Sequence, residues 1–233
     1  MNTGTPDRPA LLIFAKAPVP GRVKTRLVPD LSPMQAADLY RAFLLDALAQ
    51  YAEFGVALRL YVAPPLEELP PDTAPSGVSL HSQQGNGLGE RMQRAFIETF
   101  AAGYGRVVVV GTDHPSLPSD FISLAFEALE TPLSICIGPS EDGGYYLLGM
   151  NDVYPGLFQD MSYSHPDVFA DTMERIEQTR ADVTILPAWY DVDTAADLDR
   201  LASDLQDVHI HAPNTRAVLA RLGYPTLRES TRP

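Results

Sequence analysis

The chain has 233 residues, 45% of them apolar, with 30 acids against 17 bases and a formal net charge of −13. That balance excludes a disordered chain, and it argues against a general nucleic-acid or anionic-membrane binder, which needs a broad basic face. One cysteine, Cys136, excludes an internal disulfide framework and a cysteine-based zinc site.

In chain order, MNTGTPDRPA carries no basic or long apolar stretch, so no secretory leader is expected, and a reducing cytoplasm fits the cysteine usage. ALLIFA (10–15) predicts a buried strand, followed by a long loop held by Pro18, Pro20, Gly21 and Pro29. Ser32 ahead of Pro33 reads as a helix cap, and Leu39, Phe43, Leu44, Ala47 and Leu48 carry a helical period towards Phe54. Residues 56–63 alternate as a strand, 64–76 form a proline-rich loop, and 78–83 form a short strand before a glycine-rich turn and a helix over 89–102. RVVVVG (106–111), β-branched throughout, predicts a central strand. Ser119 caps a helix to Glu130, and residues 133–138 and 145–150 are strands joined by the turn PSEDGG. Ser164 with Pro166 opens a helix to Arg180, VTILPAWYDVD contains a strand, Thr194 caps a helix to Val208, and a shorter helix spans 214–222. The tail from Pro225 reads as frayed.

The longest apolar runs fall far short of the about 20 residues that span a membrane. No internal repeat or linker is visible, so one domain over 1–233 is expected, with a core over 10–208 and a C-terminal helix and tail over 209–233. Strands alternating with helices imply an α/β fold with a mainly parallel central sheet covered on both faces. YYLLGM follows a turn too tight for a crossover, which predicts one antiparallel strand pair. Ligands of such sheets bind at the carboxyl ends of the strands, so the functional loops are 16–29, 84–90, 112–118, 140–144 and 190–194.

Charge is distributed unevenly among these loops. From Arg8 to Pro29 there is no acid, but Arg8, Lys16, Arg22, Lys24 and Arg26 all lie there. Lys16 and Lys24 are the chain's only lysines, the residue that meets a phosphate as a movable point charge. Gly21 allows close backbone approach. Asp113 stands two residues past the central strand, and Asp191 and Asp193 precede the Thr194 helix. Separate strand-end carboxylates facing a basic loop suit a divalent Mg²⁺ or Mn²⁺ bridging phosphates. Each residue also has a plainer reading. The basic loop can be a solvated face, Asp113 a strand end bonded to its own loop, Asp193 a helix-cap neighbour, and EDGG a turn. His114 reads as a locally packed side chain, the other histidines lack ligand spacing, and Trp189 reads as core edge. GNGLGE (85–90) puts Glu90 where a dinucleotide fingerprint needs glycine, and the P-loop and G-x-S-x-G patterns are absent from the sequence.

FAKAPVPGRVKTRL, QGNGLGERM, GTDHPSLP, GPSEDGGYYLLGM and DVDTAADL, in that order, resemble a bacterial family of glycosyltransferase-like proteins. That family lies in the nucleotide-diphospho-sugar transferase superfamily and is similar to 2-phospholactate guanylyltransferase and the molybdenum-cofactor guanylyltransferase. The resemblance covers about residues 10–205. It implies a three-layer α/β/α GT-A fold. It also implies nucleotide phosphates held by Lys16, Gly21, Arg22, Lys24 and Arg26, with Gln84 and Arg91 near the base or ribose. Asp113 and Asp193 would be metal-binding acids, Lys24 would stabilise charge on the leaving diphosphate, and Asp142 would act as general base beside the acceptor. In Asp113 the chain keeps a single acid, with His114 where relatives often have cysteine.

The expected function is transfer of a sugar from a nucleotide-diphosphate sugar to a small-molecule acceptor. The alternative is nucleotidyl transfer from a nucleoside triphosphate to a phosphorylated acceptor with release of pyrophosphate. A non-catalytic nucleotide-binding protein is the third reading. No nucleic-acid or membrane partner is expected, and the oligomeric state is left open.

Overall fold

The computed structural model describes residues 8–225. Seven strands form one sheet in the order β3-β2-β1-β4-β6-β5-β7. They are β1 (Pro9–Ala15), β2 (Ala57–Val62), β3 (Ser79–Ser82), β4 (Arg106–Val110), β5 (Ser134–Pro139), β6 (Tyr145–Met150) and β7 (Asp182–Ile185). Six α-helices accompany them: α1 (Pro33–Ala52), α2 (Leu88–Ala101), α3 (Ser119–Ala128), α4 (Val168–Glu177), α5 (Ala195–Asp204) and α6 (Pro213–Arg221). β6 is the one reversed strand. It lies between β4 and β5 and runs antiparallel to both, while β1–β2, β1–β4, β2–β3 and β5–β7 are parallel.

β4 is the central strand, as its run of valines predicts. Val107 to Val110 are all buried, because helices cover both faces of the sheet at this strand. Side-chain alternation divides the core. Val108 and Val110 face α1 and α3 with Leu44, Leu48 and Ile122, whereas Val107 and Val109 face α2 and α4 with Met92, Phe96 and Ile176. Each such fully buried side chain stabilises the fold by about 1.5–3 kcal/mol. A third cluster joins the outer side of α1 to α5 and α6 through Phe43, Leu198 and Leu219. There the buried Asp46 accepts hydrogen bonds from the backbone N–H of Asn214 (3.0 Å) and Thr215 (2.7 Å), closing the open N-terminus of α6.

Ser32 caps α1 as expected, with a reciprocal bond from Gln35, and Thr194 caps α5 with Asp197. Other boundaries differ. Pro118 occupies the cap position of α3 without a side-chain bond, and that helix ends at Ala128, not Glu130. α4 begins at Val168, not at Ser164. Ser164 has φ 68°, a left-handed conformation that no helix continues from, so residues 163–167 stay a loop. α5 ends at Asp204. The tail expected to fray lies, beyond Pro225, outside the described residues. Among the described residues no helix is long and apolar enough to cross a membrane.

The strand order reverses between β1 and β4. In open α/β sheets this is where a crevice opens beyond the carboxyl ends of the strands. The loop 16–29 leaves β1 and the loop 111–118 leaves β4, so topology alone brings the basic segment against Asp113.

Candidate active site

A cavity of about 460 Å³ occupies that crevice, and a second lobe of about 410 Å³ adjoins it. Leu88, Tyr145, Ser164, Asp191 and Asp193 belong to the walls of both.

Lys24 sits between the two lobes' acids. Its backbone is left-handed (φ 47°), an uncommon conformation for a residue with a Cβ, and its side chain is 3% exposed. The ammonium contacts Asp113 Oδ1 and lies 3.1 Å from Asp193 Oδ1. Burial works to lower its pKa, but the two carboxylates outweigh burial and hold it above the ordinary lysine value. Phe43 lies beneath the ammonium, with its ring centroid 5.8 Å away.

The two acids converge because their loops are tied together. Val192 N–H donates to the Asp113 carbonyl (2.8 Å), and Asp193 N–H donates to Asp197 Oδ2 (3.1 Å) at the start of α5. Asp113 and Asp193 are only partly buried, with side chains 45% and 38% exposed. Asp193 Oδ2 also meets Arg26 at 3.3 Å, whereas Asp113 keeps one oxygen without a partner among the described residues.

Tyr40 supports the floor. Its buried hydroxyl accepts from the Lys16 backbone N–H (2.9 Å) and shares a proton with Thr112 Oγ1 (3.1 Å). Burial, then the charge of Asp113, push its phenol up to about 12, so it stays neutral. Lys16 lines the first lobe with an exposed side chain.

Residues 140–144 are pinned to the segment 187–191, which follows β7 and pairs through a single bridge between Ser140 and Trp189. Glu141 N–H donates to the Trp189 carbonyl (2.9 Å), Ser140 Oγ donates to Asp191 Oδ2 (3.2 Å), and Arg200 grips Glu141 at 2.7 and 3.0 Å. Burial works to raise the Asp191 pKa, but His114, Lys24 and Ser140 hold it below the usual carboxylate range. His114 Nδ1 lies 3.5 Å from Asp191, and neither ring nitrogen has a hydrogen-bond partner among the described residues. Gly143 is required twice over. Its φ is 90°, and a Cβ there would stand 1.8 Å from the Pro166 carbonyl oxygen. Asp142 therefore projects from a tight turn into the second lobe. Its Oδ1 accepts from Gly144 N–H (3.0 Å), and its other oxygen has no partner among the described residues.

The structure thus brings Lys16, Lys24, Arg91, Asp113 and Asp193 to the first lobe and Arg26, Asp142 and Asp193 to the second. It does not bring the rest. Arg22 is held by Glu68 at 2.6–2.8 Å and lies outside the lining of both lobes. Gly21 has open space around it, so its role there is its positive φ of 78°, not a close approach. Gln84 is exposed and lines neither lobe, whereas its neighbour Gln83 is buried in the first lobe's wall. Residues that alternate along an extended chain face opposite ways, and that period was the signal available for choosing between the two glutamines.

A family model described as "Uncharacterized protein conserved in bacteria (DUF2064)" matches residues 45–165. The chain belongs to that family. The DUF2064 match spans Asp113 and Asp142 but not Lys24 or Asp193. A solved relative from Desulfovibrio desulfuricans G20, provisionally named a nucleotide-diphospho-sugar transferase, is 35% identical, with a TM-score of 0.85 over 91% of this chain and 94% of that one. Two more distant structures share the fold. A 4-diphosphocytidyl-2C-methyl-D-erythritol synthase from Anaerococcus prevotii is 10% identical, with a TM-score of 0.57 over 87% of this chain and 98% of that one. A cytidylyltransferase from Leptospira borgpetersenii is 12% identical, with a TM-score of 0.53 over 97% and 99%. No curated protein matches the chain. The α/β/α fold, with its mostly parallel seven-stranded sheet, is that of the nucleotide-diphospho-sugar transferase superfamily.

Proposed function

We propose that this DUF2064 protein is a nucleotide-dependent transferase that moves a sugar from a nucleotide-diphosphate sugar to a small hydroxylated acceptor, with Mg²⁺ or Mn²⁺. The observation that carries the reading is the convergence of Asp113, Asp193 and Lys24 at the switch-point cleft. The name borne by the 35% identical relative points the same way.

The residues fit a hard cation. Among the described residues no group of three or more His, Cys, Asp or Glu is placed to hold a metal, but such cations take only one or two protein carboxylates when phosphates complete the shell. Asp113, with its free oxygen, and Asp193 would supply those two. When bound, the cation neutralises charge developing on the leaving diphosphate. Lys24 contributes a preorganised positive charge at the same place, and Lys16 a second at the mouth. The free oxygen of Asp142 takes the proton of the acceptor hydroxyl in the second lobe.

The second lobe also supports sugar transfer over nucleotidyl transfer. Its walls carry Asp142, Asp191 and Asp193 against Arg26, itself engaged by Asp193, and His165. A phosphorylated acceptor would meet like charge there, whereas a neutral hydroxyl compound would not.

Thermal shift with nucleoside triphosphates and nucleotide sugars, each with and without Mg²⁺ or Mn²⁺, tests the reading. Ligand at a hundred times its dissociation constant stabilises by about 2.7 kcal/mol. A metal-dependent shift with one nucleotide sugar is expected. A shift with a triphosphate alone would replace the reading by nucleotidyl transfer, and no shift at all would overturn both.

A further inference from the structure

We infer that Gln83 reads the nucleobase, and that it selects one with a ring N–H beside a carbonyl, the lactam edge that guanine and uracil carry. The inference rests on the nucleotide reading above and specifies its donor.

The argument starts from one amide. Gln83 follows β3, and its backbone N–H donates to the Val62 carbonyl (2.9 Å), continuing the ladder with β2. The side chain turns under the cavity and is 6% exposed as a residue. Its Nε2 donates to the carbonyls of Ala15 (3.1 Å) and Tyr61 (3.0 Å), the last residue of β1 and the penultimate residue of β2. A primary amide has two N–H donors, and both are engaged. Turning the amide over would set Oε1 against two carbonyl oxygens, so its orientation is fixed. Oε1 is then left without a donor among the described residues. It is also not one of the sealed, unpartnered atoms of the interior, so it opens onto the cavity that Gln83 lines. The protein holds a fixed acceptor at the end of the cavity and gives it nothing to accept from.

The surroundings suit a flat heterocycle. Phe14, Ala63, Leu88 and Met92 supply apolar walls. Arg91 supplies the complementary donors. Its Nε is tied to the Gly85 carbonyl (3.0 Å), which orients the guanidinium, and its two terminal nitrogens have no partner among the described residues. Acceptor from Gln83 and donors from Arg91 match a base that offers N–H next to C=O. Guanine does so with N1–H and O6, and uracil with N3–H and O4. Adenine and cytosine carry an unprotonated ring nitrogen at that place, and adenine has no carbonyl at all. Lys16 and Lys24 line the same cavity, which would leave the diphosphate at the switch point and the base towards β3.

Calorimetric titration of the full chain, with Mg²⁺ present, tests this with GDP, UDP, ADP and CDP, and with 1-methyl-GDP and 3-methyl-UDP, in which a methyl replaces the ring N–H. GDP or UDP should bind about 10- to 100-fold more tightly than ADP and CDP, and methylation of the preferred base should remove that margin. Gln83→Met, which keeps the length but not the acceptor, should level the four affinities. Because that variant also removes the bonds to β1 and β2, the methylated ligands on the unaltered protein are the decisive arm. Equal binding of all four bases, or undiminished binding of the methylated nucleotide, would overturn the inference while leaving the nucleotide reading standing. Failure of every nucleotide to bind would overturn that reading, and the inference with it.

Discussion

The two lobes of the cleft share Asp191 and Asp193 and differ in what surrounds them. The first adds apolar walls, an amide acceptor, Asp113 and the chain's only two lysines; the second adds Asp142, with Arg26 and His165 as its basic groups. A net charge of −13 describes neither, because both lysines of the first lobe come from one acid-free loop. The contrast separates two jobs: holding a polyanion, and accepting a proton from something uncharged. The largest effect should come from their junction. Lys24→Ala and Asp113→Asn should each abolish metal-dependent nucleotide binding in titrations, with the fold retained by circular dichroism. Splitting a buried ion pair costs about 3–5 kcal/mol, but these carboxylates stay partly in water, so Lys24→Ala should lower stability by only about 1–2 kcal/mol in urea unfolding. Normal binding by both variants would mean that the junction is misplaced.

Asp142→Asn divides the lobes by kinetics. Its amide cannot take a proton, so turnover should fall about 10²- to 10⁴-fold. Donor affinity should stay within about twofold, because Asp142 faces the second lobe alone. A matching loss of affinity would make the two lobes one site.

Within the basic loop the comparison becomes finer. Lys16→Ala should weaken nucleotide binding by about 1 kcal/mol, or about fivefold, the scale of an exposed charge. Arg22→Ala should change it by less than about twofold, because that guanidinium is engaged by Glu68 away from both lobes. Equal losses would show that the loop acts through its summed field and not through particular contacts.

Charge pattern could not separate these two residues, because a run of bases records sign and not direction. The helix caps were legible for the opposite reason. Ser32, Pro33 and Gln35 act on one another within four residues, so the sequence contains the whole interaction. Ser164 and Pro166 carry a similar signature, yet Phe169 N–H bonds the Gly143 carbonyl at 2.8 Å, and the helix starts later so that the loop can wall the cleft. The site's residue types and strand-end positions were readable, and Lys24, Asp113, Asp142 and Asp193 do gather at the cleft. The burial of Lys24 was not, because it depends on Asp193, 169 residues away. Nor was Gln83, whose amide is oriented by two carbonyls from other strands.

The smallest expected effect comes from beneath the lobes, and it decides whether the others are local. Cys136 on β5 is fully buried, its thiol donates to the Ala125 carbonyl at 3.5 Å, and burial pushes its pKa up to about 12. A free thiol titrates near 8.5, so at pH 8 the native protein holds about three orders of magnitude less thiolate than the unfolded chain. The thiolate is the nucleophile, so iodoacetamide should label Cys136 only through opening of the sheet. Asp142→Asn should leave the rate at pH 8 unchanged, because neither lobe is lined by Cys136, and Lys24→Ala should raise it by no more than about 5- to 30-fold, which is what a loss of about 1–2 kcal/mol allows. If Lys24→Ala instead accelerates labelling to the rate of the denatured chain, its loss of nucleotide binding reports a collapsed sheet, and the contrast between the lobes must then be tested with Asp113→Asn alone.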